Sequence, residues 1–259
     1  MRKFPKALIS FVKEKRISTV AGAWVYYFLT ALLPIVFLAI TAFGVFGVNL
    51  GEGLVLKLPL EFRQVGQVIV ETASRSSGGI TVFFVIAVLF SGSTLLNQML
   101  KDGEYIYEHK KVYKYGFLRR IVSLLALGVL FVIFLACALF SAFQNVILSG
   151  FNANDGIFSI ILIISSIILV SFLLINLLNK FICPLKRKIY TFLFGSLVSL
   201  FIIVLGTIAF MLWLRIIKPY NALYGSLAGV IAFFFWSYIV MLGLVVGVCI
   251  NVNSLTKTQ

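Results

Sequence analysis

Ionisable side chains that could carry acid–base or metal chemistry are concentrated in one segment, KDGEYIYEHKK, which begins at residue 101. It holds Asp102, Glu104, Glu108 and His109, and carboxylates or imidazoles that converge on divalent ions are what a metal-dependent nuclease needs. The lysines around them would attract an anionic substrate such as nucleic acid. His109 is the chain's one histidine, and a solvated loop explains the same residues. We therefore predict no enzyme activity, no catalytic, cofactor-binding or metal site, and no nucleic-acid partner.

The three cysteines give no alternative metal site. Cys137, Cys183 and Cys249 have no CxxC or other metal-ligand spacing between them. We predict thiols without disulfide bonds, in packing roles.

The composition decides the class of protein. Of 259 residues, 61% are hydrophobic and 12% are charged, and the mean hydropathy is +1.11. A water-soluble fold could not hide 26 phenylalanines behind eight carboxylates. No stretch between the apolar runs is long enough for a separate core, so we predict a single membrane domain over 1–259.

Six apolar runs are long enough to cross about 30 Å of hydrocarbon as helices. Helices are required because unpaired strand edges are not tolerated in lipid. The runs contain no Asp, Glu, Lys, Arg or His. The sequence thus predicts an all-α fold with six transmembrane helices near 20–48, 78–100, 121–148, 157–179, 189–214 and 223–250.

The basic residues predict the orientation of these spans. Seventeen of the 22 Lys and Arg precede the first span, lie in the segments 101–120 and 180–188, or follow the last span. The positive-inside rule places both termini and these two segments in the cytoplasm. The net charge of +14 therefore reports membrane topology.

Two shorter helices are expected at the membrane surfaces. In residues 1–19, Phe4, Leu8 and Phe11 share one helical face and lysines lie off it, as in a helix that rests on anionic lipid. Packing of that helix against the protein's own spans is the alternative. Outside the cell, Pro59 can begin a short helix.

The last span carries a continuous stripe of mostly small residues at helical spacing. Membrane helices gain little by burying apolar surface against each other, so close approach over small residues supplies their packing. We interpret the stripe as a helix-packing seam. An alternative is that Trp236, its bulky member, lines a gap for an apolar or amphiphilic cargo. The stripe is Asn221, Gly225, Gly229, Ala232, Trp236, Val240, Gly243, Gly247 and Asn251.

The first span contains Pro34, which has no amide hydrogen and pushes against the carbonyl of Thr30. A kink there could line a transport site or have no function at all. Polar residues near span ends, such as Asn176 and Asn179, are expected to face the interface or to form interhelical hydrogen bonds.

Three segments resemble the YihY/BrkB family of bacterial inner-membrane proteins, and the similarity covers nearly the whole chain. They are AGAWVYYFLTALLPIVF near the start, CPLKRKIYTFLFGSLVSLF from residue 183, and YGSLAGVIAFFFWSYIVMLG from residue 224. Within the last of these, Tyr224, Gly225, Trp236 and Tyr238 look like the family signature. The resemblance implies six spans and a transporter or lipid-handling protein of the bacterial inner membrane. A ribonuclease label once attached to relatives is considered mistaken.

The chain departs from the family pattern at two positions. Relatives often carry a carboxylate where this chain has Cys249, and a serine where it has Ala31. If that carboxylate couples protons or a cation in relatives, its loss puts such coupling in doubt here.

Transport of a lipid or other amphiphile is therefore the expected function, with membrane lipids as partners. Self-energised pumping is not expected, because no GxxxxGK[ST] nucleotide loop is present. The alternatives are a scaffold that binds a second copy or another membrane protein and, disfavoured, a ribonuclease at the cytoplasmic face. The candidate packing or cargo-lining residues are Thr30, Pro34, Tyr224, Gly225, Gly229, Trp236, Tyr238, Gly243 and Gly247.

Overall fold

The computed structural model describes residues 16–45, 67, 71, 78–109, 116–150, 157–185, 187–216 and 227–256. Within these residues the chain forms helices and no strand, so the predicted all-α fold is confirmed. A short 3-10 helix, Ile189–Phe192, precedes α5. The long helices are α1 Ile17–Val45, α2 Gly78–Ile106, α3 Gly116–Gly150, α4 Ile157–Ile182, α5 Leu193–Ile216 and α6 Leu227–Thr256.

The helices have the length and composition of membrane spans. Among the described residues, α2 to α6 each contain a segment long and apolar enough to cross a bilayer, and α1 contributes a shorter apolar segment, Ile17–Leu32. The chain is therefore a multi-pass membrane protein. The predicted surface helices at 1–19 and after Pro59 lie outside the described residues, apart from residues 16–19 and the isolated helical positions 67 and 71.

The sequence predicts that the second span ends near residue 100. Helix α2 instead continues to Ile106. Charged residues do not break a helix when their side chains find partners. The helix ends where Glu108 adopts a left-handed backbone conformation, with φ of 52°. The interpretation of Asp102 and Glu104 as residues of a solvated loop is therefore wrong, whereas Glu108 and His109 follow the helix and are exposed.

Helices α1 and α2 pack as an antiparallel pair, and so do α5 and α6. In α1 and α2, Trp24 contacts Asp102, and the ring of Phe37 stacks on that of Phe84 with centroids 3.7 Å apart. Helices α5 and α6 form the most extensive pair. Residue numbers rise along one helix as they fall along the other. The facing positions are Gly195 with Asn251, Ser199 with Gly247, Ile203 with Gly243, Gly206 with Ile239, and Thr207 with Trp236.

The largest apolar core joins α1, α2, α4 and α6. It gathers the first turns of α1, the last turns of α2 and α4, and the second half of α6. We call the end of the bundle where α1, α3 and α5 begin and α2, α4 and α6 end the basic end, because Lys101, Arg120, Lys180, Arg187 and Lys188 lie there. The core side chains are Ile17, Val20, Ala21, Trp24, Val25, Leu96, Met99, Ile106, Ile175, Ile182, Met241, Leu244, Val245, Val248, Cys249 and Val252.

Candidate functional site

A carboxylate lies inside the bundle near the basic end. The indole Nε1 of Trp24 donates a hydrogen bond of 2.7 Å to Asp102 Oδ2, and Gln98 Nε2, one turn earlier in α2, donates one of 3.0 Å to Asp102 Oδ1. Trp24 is fully buried. A negative charge in the last turns of a helix is unfavourable because the carbonyl end of the helix already carries partial negative charge. We call Trp24, Gln98 and Asp102 the Asp102 cluster.

Gly103 brings α4 next to this cluster. A Cβ atom on Gly103 would clash with the backbone carbonyl of Ile182 at the end of α4. Only a residue without a side chain permits this approach. The glycine therefore fixes the spacing between the last turns of α2 and α4, beside Asp102.

The neighbouring carboxylate pairs across to α3. Arg119 Nη1 lies 3.5 Å from Glu104 Oε2, and both side chains are partly buried. This ion pair joins the end of α2 to the beginning of α3. Both carboxylates in the last two turns of α2 thus have protein partners and are not part of a solvated loop.

Tyr107, the first residue after α2, joins this region to two thiols. Its ring packs against both the large core, which contains Cys249, and a small cluster of Cys183 with Phe192. Neither Cys183 nor Cys249 forms a disulfide. Burial raises the pKa of the Tyr107 hydroxyl, and the nearby thiols add to the shift. Tyr107 is therefore a neutral hydroxyl at every physiological pH.

The C-terminal half of the small-residue stripe faces α5. A Cβ on Gly247 would clash with Ser199 Oγ and would lie 2.5 Å from the carbonyl oxygen of Gly195, and a Cβ on Gly243 would lie 2.8 Å from Ile203 Cγ1. Trp236 Nε1 donates a hydrogen bond of 3.2 Å to Thr207 Oγ1. These members of the stripe are occupied by packing within the chain.

The remaining predicted site residues are scattered. Tyr238 pairs with Ser18, their hydroxyl oxygens being 2.6 Å apart, and so ties α6 to the start of α1. Thr30 is exposed, and its hydroxyl donates to the carbonyl of Tyr27 within α1. Pro34 lies inside the same helix, and the kink stays a prediction. Gly229 lies in the first turn of α6, whereas Tyr224 and Gly225 lie outside the described residues.

The sequence reasoning missed the Asp102 cluster. Asp102 follows a lysine and precedes a glycine, which is the composition of a loop. The one available signal was the spacing of Gln98 and Asp102, four residues apart and therefore on one helical face. Within the described residues, no group of three or more His, Cys, Asp or Glu side chains could hold a metal ion.

Long apolar helices, internal pairing through glycine and a carboxylate cluster at one end define a polytopic α-helical membrane protein. Residues 8–258 match the family model described as "Virulence factor BrkB". The chain therefore belongs to the BrkB family. No curated protein and no solved structure matches it.

Proposed function

We propose that this protein moves a lipid or another amphiphilic molecule across the cytoplasmic membrane of a bacterium. It acts as a transporter without enzymatic activity and has no nucleic-acid partner. Its family membership and apolar helices support a role in the membrane. The choice of an amphiphile rests on the boundary between α5 and α6.

Polar side chains extend along this boundary into the apolar span, and this observation carries the proposal. We call Asn251, Ser199, Thr207 and Trp236 the polar row. Asn251 accepts a hydrogen bond from the Gly195 amide, and Trp236 bonds to Thr207. From Gly195 to Thr207, α5 rises about 18 Å at 1.5 Å per residue. That is more than half of the hydrocarbon thickness of about 30 Å. Polar groups at such depth are costly and mark substrate pathways.

Aromatic rings lie around Trp236, at the end of the polar row that is farthest from the basic end. The ring of Trp236 lies 5.7 Å from that of Phe233, and Trp213 lies 6.0 Å from Phe210 and 6.5 Å from Phe235, measured between centroids. An amphiphile needs polar contacts for its headgroup and apolar contacts for its tail. The α5–α6 boundary offers both.

Lipid movement in reconstituted vesicles tests the proposal. A membrane-impermeant quencher should remove the outer-leaflet signal of a headgroup-labelled lipid equally in both preparations. The inner-leaflet signal should then be lost faster in vesicles that contain the purified protein than in protein-free vesicles. Trp236→Phe removes the indole N–H but keeps an aromatic ring, and should slow the movement about 2- to 10-fold if one hydrogen bond is lost. Tyr190→Phe, at an exposed position outside this boundary, is the control. A wild-type rate equal to that of protein-free vesicles rejects the proposal.

A scaffold that binds other spans is the second candidate. The glycines at 243 and 247 are already packed against α5, so such a scaffold would use another face. Gly128 is exposed on α3, and no described residue lies within 4 Å of its Cβ position, so a neighbouring helix could approach there. Co-purification of a second copy or another membrane protein that is lost in Gly128→Leu would favour this function over transport.

A ribonuclease activity is the disfavoured third candidate. Its grounds are the basic charge, which topology already explains, and the ionisable residues from 101 to 111, of which Asp102 and Glu104 are engaged by Trp24 and Arg119. Incubation of the purified protein with transfer RNA and Mg²⁺ tests it directly, and cleavage that survives further purification would overturn our assignment.

A further inference from the structure

Five buried polar side chains lie where α4 ends, α5 begins and α6 approaches its end. Their shared feature is a neutral oxygen atom within a region that is otherwise apolar. Asn179, Ser196, Ser199 and Asn251 are at most 1% exposed, and Asn176 is 4% exposed. We call the set of five the Asn–Ser cluster. It has no residue in common with the Asp102 cluster, and it shares Ser199 and Asn251 with the polar row.

Hydrogen bonds hold the cluster together across the three helices. Asn179 Nδ2 donates to Ser196 Oγ at 2.8 Å, and the Gly195 amide donates to Asn251 Oδ1 at 3.0 Å. Ser199 lies one turn further along α5, against Gly247. The oxygens are therefore fixed on rigid helices rather than on a loop.

The oxygen atoms of the cluster outnumber the hydrogens directed at them. Ser196 Oγ lies 3.2 Å from Asn176 Oδ1 and 2.8 Å from the carbonyl oxygen of Phe192. A hydroxyl has one proton and can satisfy only one of those two acceptors at a time. Asn179 Oδ1 and Ser199 Oγ are buried, and no described residue forms a hydrogen bond with either oxygen. A buried oxygen without a hydrogen-bond donor destabilises the fold unless a proton donor or a cation contacts it.

We propose that the Asn–Ser cluster binds a monovalent metal cation, Na⁺ being the best match. Hard cations take oxygen ligands, and the cluster offers amide, hydroxyl and main-chain carbonyl oxygens. Because none of these ligands is charged, a divalent ion would keep its full charge in an apolar surrounding, whereas a monovalent ion keeps half as much.

The ends of two helices favour a cation at this place. Asn179 lies in the last turn of α4, and Asn251 lies near the end of α6, where main-chain carbonyls carry partial negative charge. The first turn of α5 opposes a cation, because the amide end of a helix carries partial positive charge. There the Gly195 amide is already directed to Asn251 Oδ1. The charged residue in the last turn of α4, Lys180, is exposed. Membrane transporters use carbonyl-rich helix ends for Na⁺ in the same way.

Binding of Na⁺ stands independently of the transport proposal, but its role in transport rests on it. The sequence has no GxxxxGK[ST] motif for nucleotide hydrolysis. If the protein moves an amphiphile, a Na⁺ gradient would supply the energy instead. Release of the ion would leave the cluster with unpaired oxygens and so favour a change in the packing of α5 against α4 and α6.

Thermal unfolding of the purified full-length protein in detergent tests the binding. Unfolding should be followed in NaCl, KCl and choline chloride at equal ionic strength. We expect Na⁺ at about ten times its dissociation constant to raise Tm by about 2–4 °C, with saturation, above the value in choline chloride. An equal Tm in all three salts, as expected if only a buried water fills the cluster, would overturn the proposal.

Two serine variants locate the ion. Ser199→Ala removes a hydroxyl that forms no hydrogen bond within the described part of the chain, so the fold should persist while the Na⁺-dependent shift is lost. Ser237→Ala is the matched control. Ser237 is also buried and has no hydrogen-bond partner among the described residues, but it lies outside the cluster. Retention of the full shift in both variants would show that the ion binds elsewhere. If Ser199→Ala unfolds, ²²Na⁺ binding to the wild type still tests whether the protein holds a saturable Na⁺ site, and absence of saturable binding would overturn the proposal.

Vesicle experiments separate the two proposals. Lipid movement should be faster with a Na⁺ gradient than with Na⁺ equal on both sides. A Na⁺-dependent Tm shift without any lipid movement refutes the transport function and leaves the ion site standing. Lipid movement that ignores Na⁺, together with an unchanged Tm, refutes the ion site and leaves the transport function standing.

Discussion

The indole of Trp24 in α1 and the carboxylate of Asp102 in α2 form a hydrogen bond of 2.7 Å inside a membrane protein whose spans are otherwise almost free of charge. The indole can only donate and an ionised carboxylate can only accept, so neither can replace the other. Gln98 holds the second carboxylate oxygen. The pair fixes the position of α1 relative to the end of α2.

Replacing Trp24 by Phe should destabilise the protein. The change removes the donor to a partly buried carboxylate, and loss of a hydrogen bond to a charged group costs about 1.5–3 kcal/mol. Thermal unfolding in detergent measures the effect. Trp213→Phe is the control, since Trp213 lies partly exposed on α5. Equal unfolding temperatures for the two variants would contradict a structural role for the Trp24–Asp102 bond.

Replacing Gly247 by Ala should disturb the α5–α6 pair. The added methyl group meets Ser199 Oγ and the Gly195 carbonyl, and backbone cannot move as a side chain can, so we expect a loss of about 1–3 kcal/mol. Gly128→Ala is the matched control, because no atom of the described residues lies within 4 Å of its Cβ position. That variant should be neutral or more stable, since alanine favours helix. The opposite order of unfolding temperatures would count against the seam.

Two glycines of α2 should respond differently to the same substitution. In Gly103→Ala the methyl group meets the backbone carbonyl of Ile182, whereas in Gly92→Ala it lies 2.7 Å from Cδ1 of Leu127, a side-chain end that can rotate away. Gly103→Ala should therefore lower the unfolding temperature more. Equal effects would mean that α2 and α4 can separate at little cost.

Replacing Tyr107 by Phe should reduce the loss of stability at high pH. Burial raises the pKa of Tyr107 in the folded protein, while in the unfolded chain the pKa is about 10. Above pH 10 the unfolded chain loses this proton and the folded protein keeps it, so stability falls as pH rises and is unaffected below pH 10. Between pH 8 and 11, the unfolding temperature should fall less for Tyr107→Phe than for the wild type. Tyr190→Phe, at a position 62% exposed, should follow the wild type.

The ends of the chain should both lie in the cytoplasm. The excess of Lys and Arg on one side predicts this orientation. An epitope tag at either terminus should be protected from protease in intact cells and become accessible after lysis. A tag inserted between the first two spans, near residue 54, should be accessible in intact cells. Accessibility of either terminal tag before lysis would contradict the orientation.

The existence of the helices could be predicted from the sequence, because lipid excludes other backbone structures. The end of α2 could not, since Asp102 and Glu104 look like loop residues until their partners Trp24 and Arg119 are known. A hydropathy pattern marks charged residues as span ends. It has no information about partners on helices distant in sequence.

The Asn–Ser cluster shows a second limit of sequence reasoning. Asn176 and Asn179 lie near the end of a span, and asparagine there is equally typical of the membrane interface and of the interior. Protein-facing and lipid-facing surfaces of membrane helices are similarly apolar. The sequence therefore does not indicate which neighbours α4 has, and the pairing of Asn179 with Ser196 of α5 emerges only from the fold.

The antiparallel matching of α5 with α6 restricts how relatives of this chain can vary in length. Inserting one residue within either helix, between Gly195 and Thr207 or between Trp236 and Asn251, would rotate every later position by about 100° and turn serines and glycines away from one another. Insertions between residues 216 and 227 leave all of these matches in place. Changes in length among homologues should therefore be found between the two helices and be absent within them.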